Sequence, residues 1–134
     1  MKTTFRPAAA MSLLLLGCAT GSLAVAQDST RKELRREDLS GAPGMEVILS
    51  LTELKPGDGV PEHFHHGIET GYVLEGGTLE SATGGKLTLE TGSPIMNLRD
   101  AKHGGFKVTG TKTIKLITVH IVDKGKPLYD ASKN

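Results

Sequence analysis

The chain has 134 residues, with 16 basic and 15 acidic side chains, a formal net charge of +1 and an aromatic content of only 4%. This near-neutral balance excludes the basic footprint of a nucleic-acid-binding protein and gives no attraction for an anionic membrane surface. The length fits one small domain with a single core.

Residues 1–26 are predicted to be a signal peptide that sends the protein to the periplasm or out of the cell. Lys2 and Arg6 precede an uncharged run over residues 8–16, and small residues end the segment at Ala26. The apolar run is too short and too interrupted for a convincing transmembrane helix. Cleavage after Ala26 would leave a chain with a net charge of −1, because the segment contains two basic residues and no acidic ones.

An alternative reading of the same segment is a lipoprotein signal. The tetrapeptide Leu-Leu-Gly-Cys ends at Cys18, which would then carry the lipid and anchor the protein to a membrane. Cys18 is the one cysteine of the chain, so cleavage at Ala26 leaves neither an internal disulfide nor a thiol nucleophile. Chemistry in the mature chain must then come from histidines, carboxylates or a metal.

Residues 27–40 are strongly polar and are predicted to form an exposed arm that orders only against a partner subunit, or else a solvated tail. From residue 45 onward, short runs rich in Val, Ile, Leu and Thr alternate with glycine-rich turns, and no segment keeps a helical period. The predicted strands cover residues 45–54, 72–75, 86–90, 94–98, 106–109 and 113–122. This pattern of short strands and glycine-rich turns predicts an all-β sandwich or barrel.

Alternation within the strands indicates which side chains face inward. In residues 113–122, Lys115 marks the outer face, so His120 faces inward as a pocket-lining residue or as a hydrogen-bonded core histidine. The side chains predicted to line an apolar interior are Leu87, Leu89, Ile95, Met96, Ile114 and Leu116. The outer face of the same strand carries Ile117, Val119 and Ile121, which predicts contact with another sheet or with a second subunit in a homodimer.

A candidate metal site stands between Gly57 and Gly76. His63 and His65 leave the same face of an extended strand, Glu69 follows after a short connection, and His103 is a fourth candidate. Imidazoles with one carboxylate suit Fe, Mn, Ni, Cu, Co or Zn rather than Ca or Mg. The alternative is that these histidines lie on a solvated loop.

The same residues resemble the two motifs of the cupin superfamily. Gly57, His63, His65, Glu69 and Gly76 meet every spacing of the first motif, and Gly92 and His103 stand at the separation of the second. The second motif departs from the family pattern in three places, with Leu98 for Pro, Asp100 for Gly and Lys107 for Asn. Asp tolerates a left-handed backbone, so Asp100 is expected to preserve the turn that presents His103.

The resemblance implies a small single-domain bacterial cupin of the type-2 class. Its fold would be a double-stranded β-helix, or jelly-roll barrel, over residues 41–123, followed by a tail over residues 124–134. A metal ion would lie inside the barrel mouth on His63, His65, Glu69 and His103, with His66 pointing away and Tyr72 in the core.

Four protein ligands would leave two positions open on a six-coordinate ion, which suits a dioxygenase or an isomerase acting on a small organic molecule. Candidates for proton transfer are Glu69, His120, Arg99 and Tyr129. Arg99 could instead pair with a substrate carboxylate or be an exposed solubilising residue. The alternative function is a cupin that binds a metal or small ligand without catalysis, or a barrel that the metal only stabilises.

Overall fold

The computed structural model describes residues 30–131, so the predicted signal peptide, Cys18 and the last three residues lie outside the described residues. The described part contains eleven strands and no helix. Accordingly, it holds no helix that is long and apolar enough to cross a membrane. The strands are β1 Thr30–Asp38, β2 Met45–Leu54, β3 Gly59–Val60, β4 His63–Phe64, β5 Gly67–Glu75, β6 Gly77–Ser81, β7 Lys86–Leu89, β8 Pro94–Asn97, β9 Phe106–Val108, β10 Ile114–Asp123 and β11 Asp130–Ala131.

The strands form two main antiparallel sheets and one small pair. The larger sheet has the order β1-β2-β10-β5-β8, the second has the order β3-β9-β6-β7, and β11 pairs with β4. Neighbours in these sheets are mostly distant in sequence, as expected for a double-stranded β-helix. The all-β jelly-roll architecture predicted from the sequence is confirmed.

The apolar core lies between the two sheets at one end of the barrel. Leu54, Leu79, Val108 and Ile114 are almost completely buried and pack together. Partly buried side chains close around them, namely Val60, Leu89, Phe106 and Leu116. Burial of each such side chain contributes roughly 1.5–3 kcal/mol, so this end of the barrel is its stable base.

Strand β10 connects the apolar base to the polar end of the barrel. Its inward positions run from Ile114 in the core, through Leu116 and Thr118, to His120, which is fully buried. At about 3.3 Å per residue, His120 lies roughly 20 Å from Ile114 along the strand. One strand therefore supplies side chains both to the apolar core and to the polar end of the barrel. The inward face predicted for this strand is the one observed.

The segment predicted to be a polar arm is largely a β-strand in the structure. Residues 30–38 form β1, an edge strand that pairs with β2 from Thr30 opposite Glu53 to Asp38 opposite Glu46. Its side chains are nearly all exposed, so it has no apolar alternation to reveal a strand. Arg36 donates to Glu46 at 2.6 Å, an ion pair that ties this strand to a buried carboxylate.

For two side chains, the prediction that they lie in the interior is wrong. Met96 is 66% exposed and Tyr72 is 50% exposed, both on the outer face of the larger sheet. Val73 is fully buried, and because strand neighbours point to opposite faces, Tyr72 must face outward. The same alternation places Ile95 inward and Met96 outward.

Candidate metal centre

The four predicted metal ligands converge at the polar end of the barrel. His63 begins β4, His65 follows that strand, and Glu69 lies on β5. The backbones of His63 and His103 exchange two hydrogen bonds of 2.9 Å, which bring the second half of the chain against the first. We call His63, His65, Glu69 and His103 the histidine–glutamate cluster.

Backbone carbonyls hold three imidazoles in one tautomer. The Nδ1 atoms of His63, His65 and His103 donate to the carbonyl oxygens of Pro61, Leu128 and Ala101, respectively. A carbonyl oxygen only accepts, so each Nδ1 carries a proton. Each Nε2 is thus left available as a metal ligand, and its ring is already oriented.

The Nε2 atoms of His65 and His103 face each other at 3.1 Å. When both rings are neutral, two lone pairs oppose each other in a buried place, which is unfavourable unless a cation or a proton lies between them. The Nε2 atom of His63 belongs to the same group, whose ligand atoms all lie within 4.8 Å of one another. These residues therefore fit a divalent transition metal.

The Glu69 carboxylate lies among the imidazoles and beside the Asn97 amide. Its Oε2 lies 3.4 Å from His65 Nε2 and 3.5 Å from His103 Nε2, and it accepts a hydrogen bond of 2.6 Å from the Asn97 amide. Burial alone would raise the pKa of Glu69, but its interactions with the imidazoles of His103, His120 and His65 outweigh burial and hold the pKa far below its usual range. The Glu69 carboxylate is therefore ionised at physiological pH.

The pKa values of two histidines of the cluster are shifted in opposite directions. Burial lowers the pKa of His63 despite the opposing effect of the Pro61 carbonyl. Burial also acts to lower the pKa of His103, but hydrogen bonds to Glu69 and Ala101 outweigh it, so the net shift is upward. Of these two imidazoles, His103 retains an added proton more readily in the metal-free protein.

The turn before His103 is the one expected from the sequence. Asp100 has φ = 60°, the only positive φ of a non-glycine residue in the described part of the chain, and its amide donates to the His65 carbonyl at 3.0 Å. Gly104 follows His103 with φ = +89°, and a Cβ there would lie 2.4 Å from the Pro61 carbonyl oxygen. The turn thus keeps its left-handed residues although the motif glycine is replaced by aspartate.

Residues 128–131, predicted as part of a tail, form one wall of the site. The Tyr129 ring packs edge-on against His63 and His65, with centroid distances of 4.8 and 5.2 Å. Asp130 accepts a hydrogen bond of 3.0 Å from His66 Nε2, so His66 points away from the cluster as expected. Burial, then the charge of Glu69, raises the pKa of Tyr129 to about 12, so the phenol keeps its proton.

Of the weaker sequence candidates, His120 lies at the site and Arg99 does not. His120 Nε2 is 3.3 Å from Glu69 Oε1, and the ring is fully buried. Both guanidinium NH2 groups of Arg99 instead donate to Asp123, at 2.8 and 2.9 Å, on the outside of the barrel. The structure brings Arg99 neither to the cluster nor to the cavity described next.

A cavity of about 200 Å³ separates the cluster from the apolar base. His63, Glu69 and His103 face it, together with aliphatic and aromatic side chains that include Leu87, Leu89, Ile95, Phe106 and Leu116. Its few other polar side chains are Thr52, Asn97, Thr118 and Tyr129. Sequence reasoning missed Asn97, although inward alternation on β8 places it opposite Glu69.

Residues 50–120, more than half of the chain, match the protein family described as Cupin domain. This chain is a cupin. The match covers both halves of the cluster and the strands that carry them, so the family predicted from the motifs is confirmed. No protein among the curated ones matches this cupin.

Solved structures support the fold of this cupin. The polyketide cyclase RemF from Streptomyces resistomycificus is 24% identical, with a TM-score of 0.57 over 81% of this chain and 74% of that one. A double-stranded β-helix protein from Klebsiella pneumoniae is 13% identical, with a TM-score of 0.58 over 78% and 85%. A cupin domain from Bordetella pertussis is 14% identical, with a TM-score of 0.50 over 69% and 92%. At these identities the likeness concerns the fold.

Proposed function

We propose that this cupin is a metal-dependent enzyme, of dioxygenase or isomerase type, that acts on a small organic molecule. The observation that carries the proposal is the position of the histidine–glutamate cluster at the end of a partly open, mainly apolar cavity. A divalent Fe, Mn, Ni, Cu or Zn ion is the expected cofactor, bound by His63, His65, Glu69 and His103. One structural neighbour is a polyketide cyclase, so the fold is compatible with an enzyme.

The cavity lining supports a substrate with an apolar body and a polar end. Its volume of about 200 Å³ is below the roughly 300–1,000 Å³ of pockets for drug-sized ligands, so the molecule is small. Among residues 30–131, no lysine or arginine lines the cavity, which disfavours a phosphate. Two of the polar side chains, Asn97 and Tyr129, contact the cluster, so the oxygen-bearing end of the substrate would face the metal ligands.

The surrounding side chains supply orientation and protons. A bound divalent ion would polarise an oxygen of the substrate. Asn97 holds Glu69 Oε2 by a 2.6 Å hydrogen bond and so keeps the carboxylate directed at the imidazoles. Tyr129 keeps its proton and can donate a hydrogen bond, or a proton as a general acid, to a substrate oxygen in the cavity.

Metal analysis and turnover together test this function. Purified mature protein would be loaded separately with each candidate ion and assayed with small carbonyl and enol compounds, with and without oxygen. Turnover that requires oxygen assigns a dioxygenase, and turnover without oxygen assigns an isomerase or another non-oxidative enzyme.

A Glu69→Gln variant makes the test specific to the cluster. We expect at least about a 100-fold loss of turnover with the fold intact, because the variant removes the anionic ligand. Glu90→Gln, which removes an exposed carboxylate, is the control and should keep its rate. An unaltered rate in Glu69→Gln would contradict a role of Glu69 as ligand or base.

The second candidate is a cupin that binds a metal or a small ligand without catalysis. The complete burial of His65 and His120 and the small cavity favour tight retention of an ion as much as turnover. Stable metal and ligand binding without product, under both atmospheres and with every ion, would support this candidate.

Export of the protein to the periplasm or outside the cell is also part of the proposal. Intact-mass analysis of protein recovered from the cell envelope and medium distinguishes the two processing routes. A chain beginning at Gln27 supports signal-peptide cleavage, whereas a lipid-modified chain beginning at Cys18 supports a membrane-anchored lipoprotein. A chain that keeps its first 26 residues in the cytoplasm would contradict export.

A further inference from the structure

His120 is a buried imidazole with an unexplained lack of partners. Its side chain is fully buried, and neither ring nitrogen makes a hydrogen bond of acceptable geometry among residues 30–131, although Nε2 lies 3.3 Å from Glu69 Oε1. A buried polar group without a partner is costly, so such groups normally bind something. Unlike His63, His65 and His103, the His120 ring has no backbone carbonyl to bind either nitrogen.

The position of His120 places it on the same centre as the predicted ligands. Its Nε2 is 3.3 Å from Glu69 Oε1, and the two rings of His120 and His65 pack edge-on at 4.7 Å. The ligand atoms of His65, Glu69 and His120 all lie within 4.8 Å of one another. This second group shares His65 with the group of His63, His65 and His103.

Backbone pairing explains why His120 lies so close. His120 is directly opposite Glu69 in the pairing of β10 with β5, so the two side chains leave the sheet on the same inward face. Asn97 is opposite Glu69 on the other side, in the pairing of β5 with β8. Glu69 Oε2 faces Asn97, His65 and His103, while Oε1 faces His120.

We infer that His120 is a fifth protein ligand of the metal. The ion is then held by four imidazoles and one carboxylate, and a six-coordinate ion keeps a single exchangeable position. A sixth donor would reach the ion from the cavity, because His63, Glu69 and His103 line the cavity while His65 and His120 are fully buried. The inference rests on the metal centre proposed above and deepens it.

A single exchangeable position restricts the reaction class. A substrate oxygen and molecular oxygen cannot then both bind the ion. The arrangement therefore favours a non-oxidative reaction, in which a substrate presents one oxygen donor to the metal, over a dioxygenase that needs two positions. Within the proposed function, isomerisation is favoured over dioxygenation.

The test is a count of imidazole ligands in cobalt-loaded mature protein by X-ray absorption spectroscopy, with cobalt affinity measured against a chromophoric chelator. The variants are His120→Asn and His120→Phe, and the second keeps a ring in the packing against His65 and Tyr129. Val122→Ala is the matched control, because Val122 is buried on the same face of β10, two residues away, and carries no atom that could bind a metal. Circular dichroism of the metal-free proteins identifies any variant that fails to fold.

The expected result is four imidazoles in the wild type and in Val122→Ala, and three in the His120 variants. Cobalt affinity should fall at least about tenfold in the His120 variants and stay within about twofold in the control. Three imidazoles in the wild type, or an unchanged count in a folded His120 variant, would overturn the inference and leave the four-ligand centre standing. Absence of bound cobalt from the wild type would overturn the proposed metal centre itself.

Discussion

A proton and a metal ion compete for the same Nε2 atoms of His65 and His103, which face each other. At 3.1 Å, the two atoms need a positive charge near them, and in the metal-free protein the raised pKa of His103 indicates that a proton supplies it. Glu69 remains ionised whichever cation is present, because its pKa is far below the usual range. Metal binding must therefore displace one proton from His103.

We expect metal affinity to fall as the pH is lowered through the raised pKa of His103, which lies above the ordinary 6.5. His103 binds its proton more tightly than a free histidine, so that proton stabilises the metal-free fold at low pH and is lost as the pH rises through this pKa. His63 has a lowered pKa and stays neutral in the same window. The loss is about tenfold per pH unit below that pKa.

Zinc titration against a chelator, at intervals between about pH 5.5 and pH 8.5, measures this dependence. A zinc affinity that stays constant over the whole range would contradict the protonated His103. Glu69→Gln provides a check, because removal of the charge that raises the pKa of His103 should shift the fall in affinity to lower pH.

At the scale of elements, the close pairing of β5 with β10 sets the geometry of the centre. Gly67 lies between two ligands in sequence, and a Cβ on it would lie 2.1 Å from the Ile121 carbonyl oxygen and 2.6 Å from Val122 Cα. Both obstructing atoms belong to backbone, so they cannot rotate away as a side chain could. The lack of a side chain at Gly67 is what lets Glu69 and His120 stand opposite each other.

Gly67→Ala should destabilise the protein by about 1–3 kcal/mol, because β10 must move away to admit the methyl group. Urea unfolding of metal-free protein measures the loss, and metal affinity should fall with it as the two strands separate. The control is Gly59→Ala, where the nearest atom to a new Cβ is 4.0 Å away and φ is not positive. Equal stability of the two variants would show that the pairing tolerates a side chain.

At the scale of the whole molecule, the outer face of the larger sheet carries many apolar side chains. On β10, Ile117, Val119 and Ile121 are half-buried, and each lies between side chains of β2 and β5. Exposed apolar side chains extend this face, namely Ile68, Tyr72, Leu74 and Met96. A contiguous apolar face of this kind is typical of an interface between subunits.

We expect the mature protein to be a homodimer through this face, with twice the monomer mass in sedimentation velocity. Tyr72→Lys combined with Met96→Lys should convert it to a monomer, because two charges would be buried without partners. Thr88→Lys, which adds a charge to an exposed position on the other sheet, should leave the dimer intact. A wild-type monomer, or a dimer that survives the double substitution, would contradict this arrangement.

The sequence by itself determined the cluster of His63, His65, Glu69 and His103 and the β-barrel that carries it. Ligand type and spacing are local properties, and the alternation of strands such as β2 and β10 is readable because one of their faces is buried. The same reasoning failed for β1, since an edge strand exposed on both faces carries no such pattern.

Only the tertiary structure decided which groups surround those ligands. The carbonyl of Leu128, 63 residues beyond His65, and the amide of Asn97, 28 residues beyond Glu69, reach the cluster through the closure of the barrel. The place of His120 opposite Glu69 depends on the register of β10 against β5. Strand register follows from the packing of the whole barrel, so no local pattern could predict these contacts.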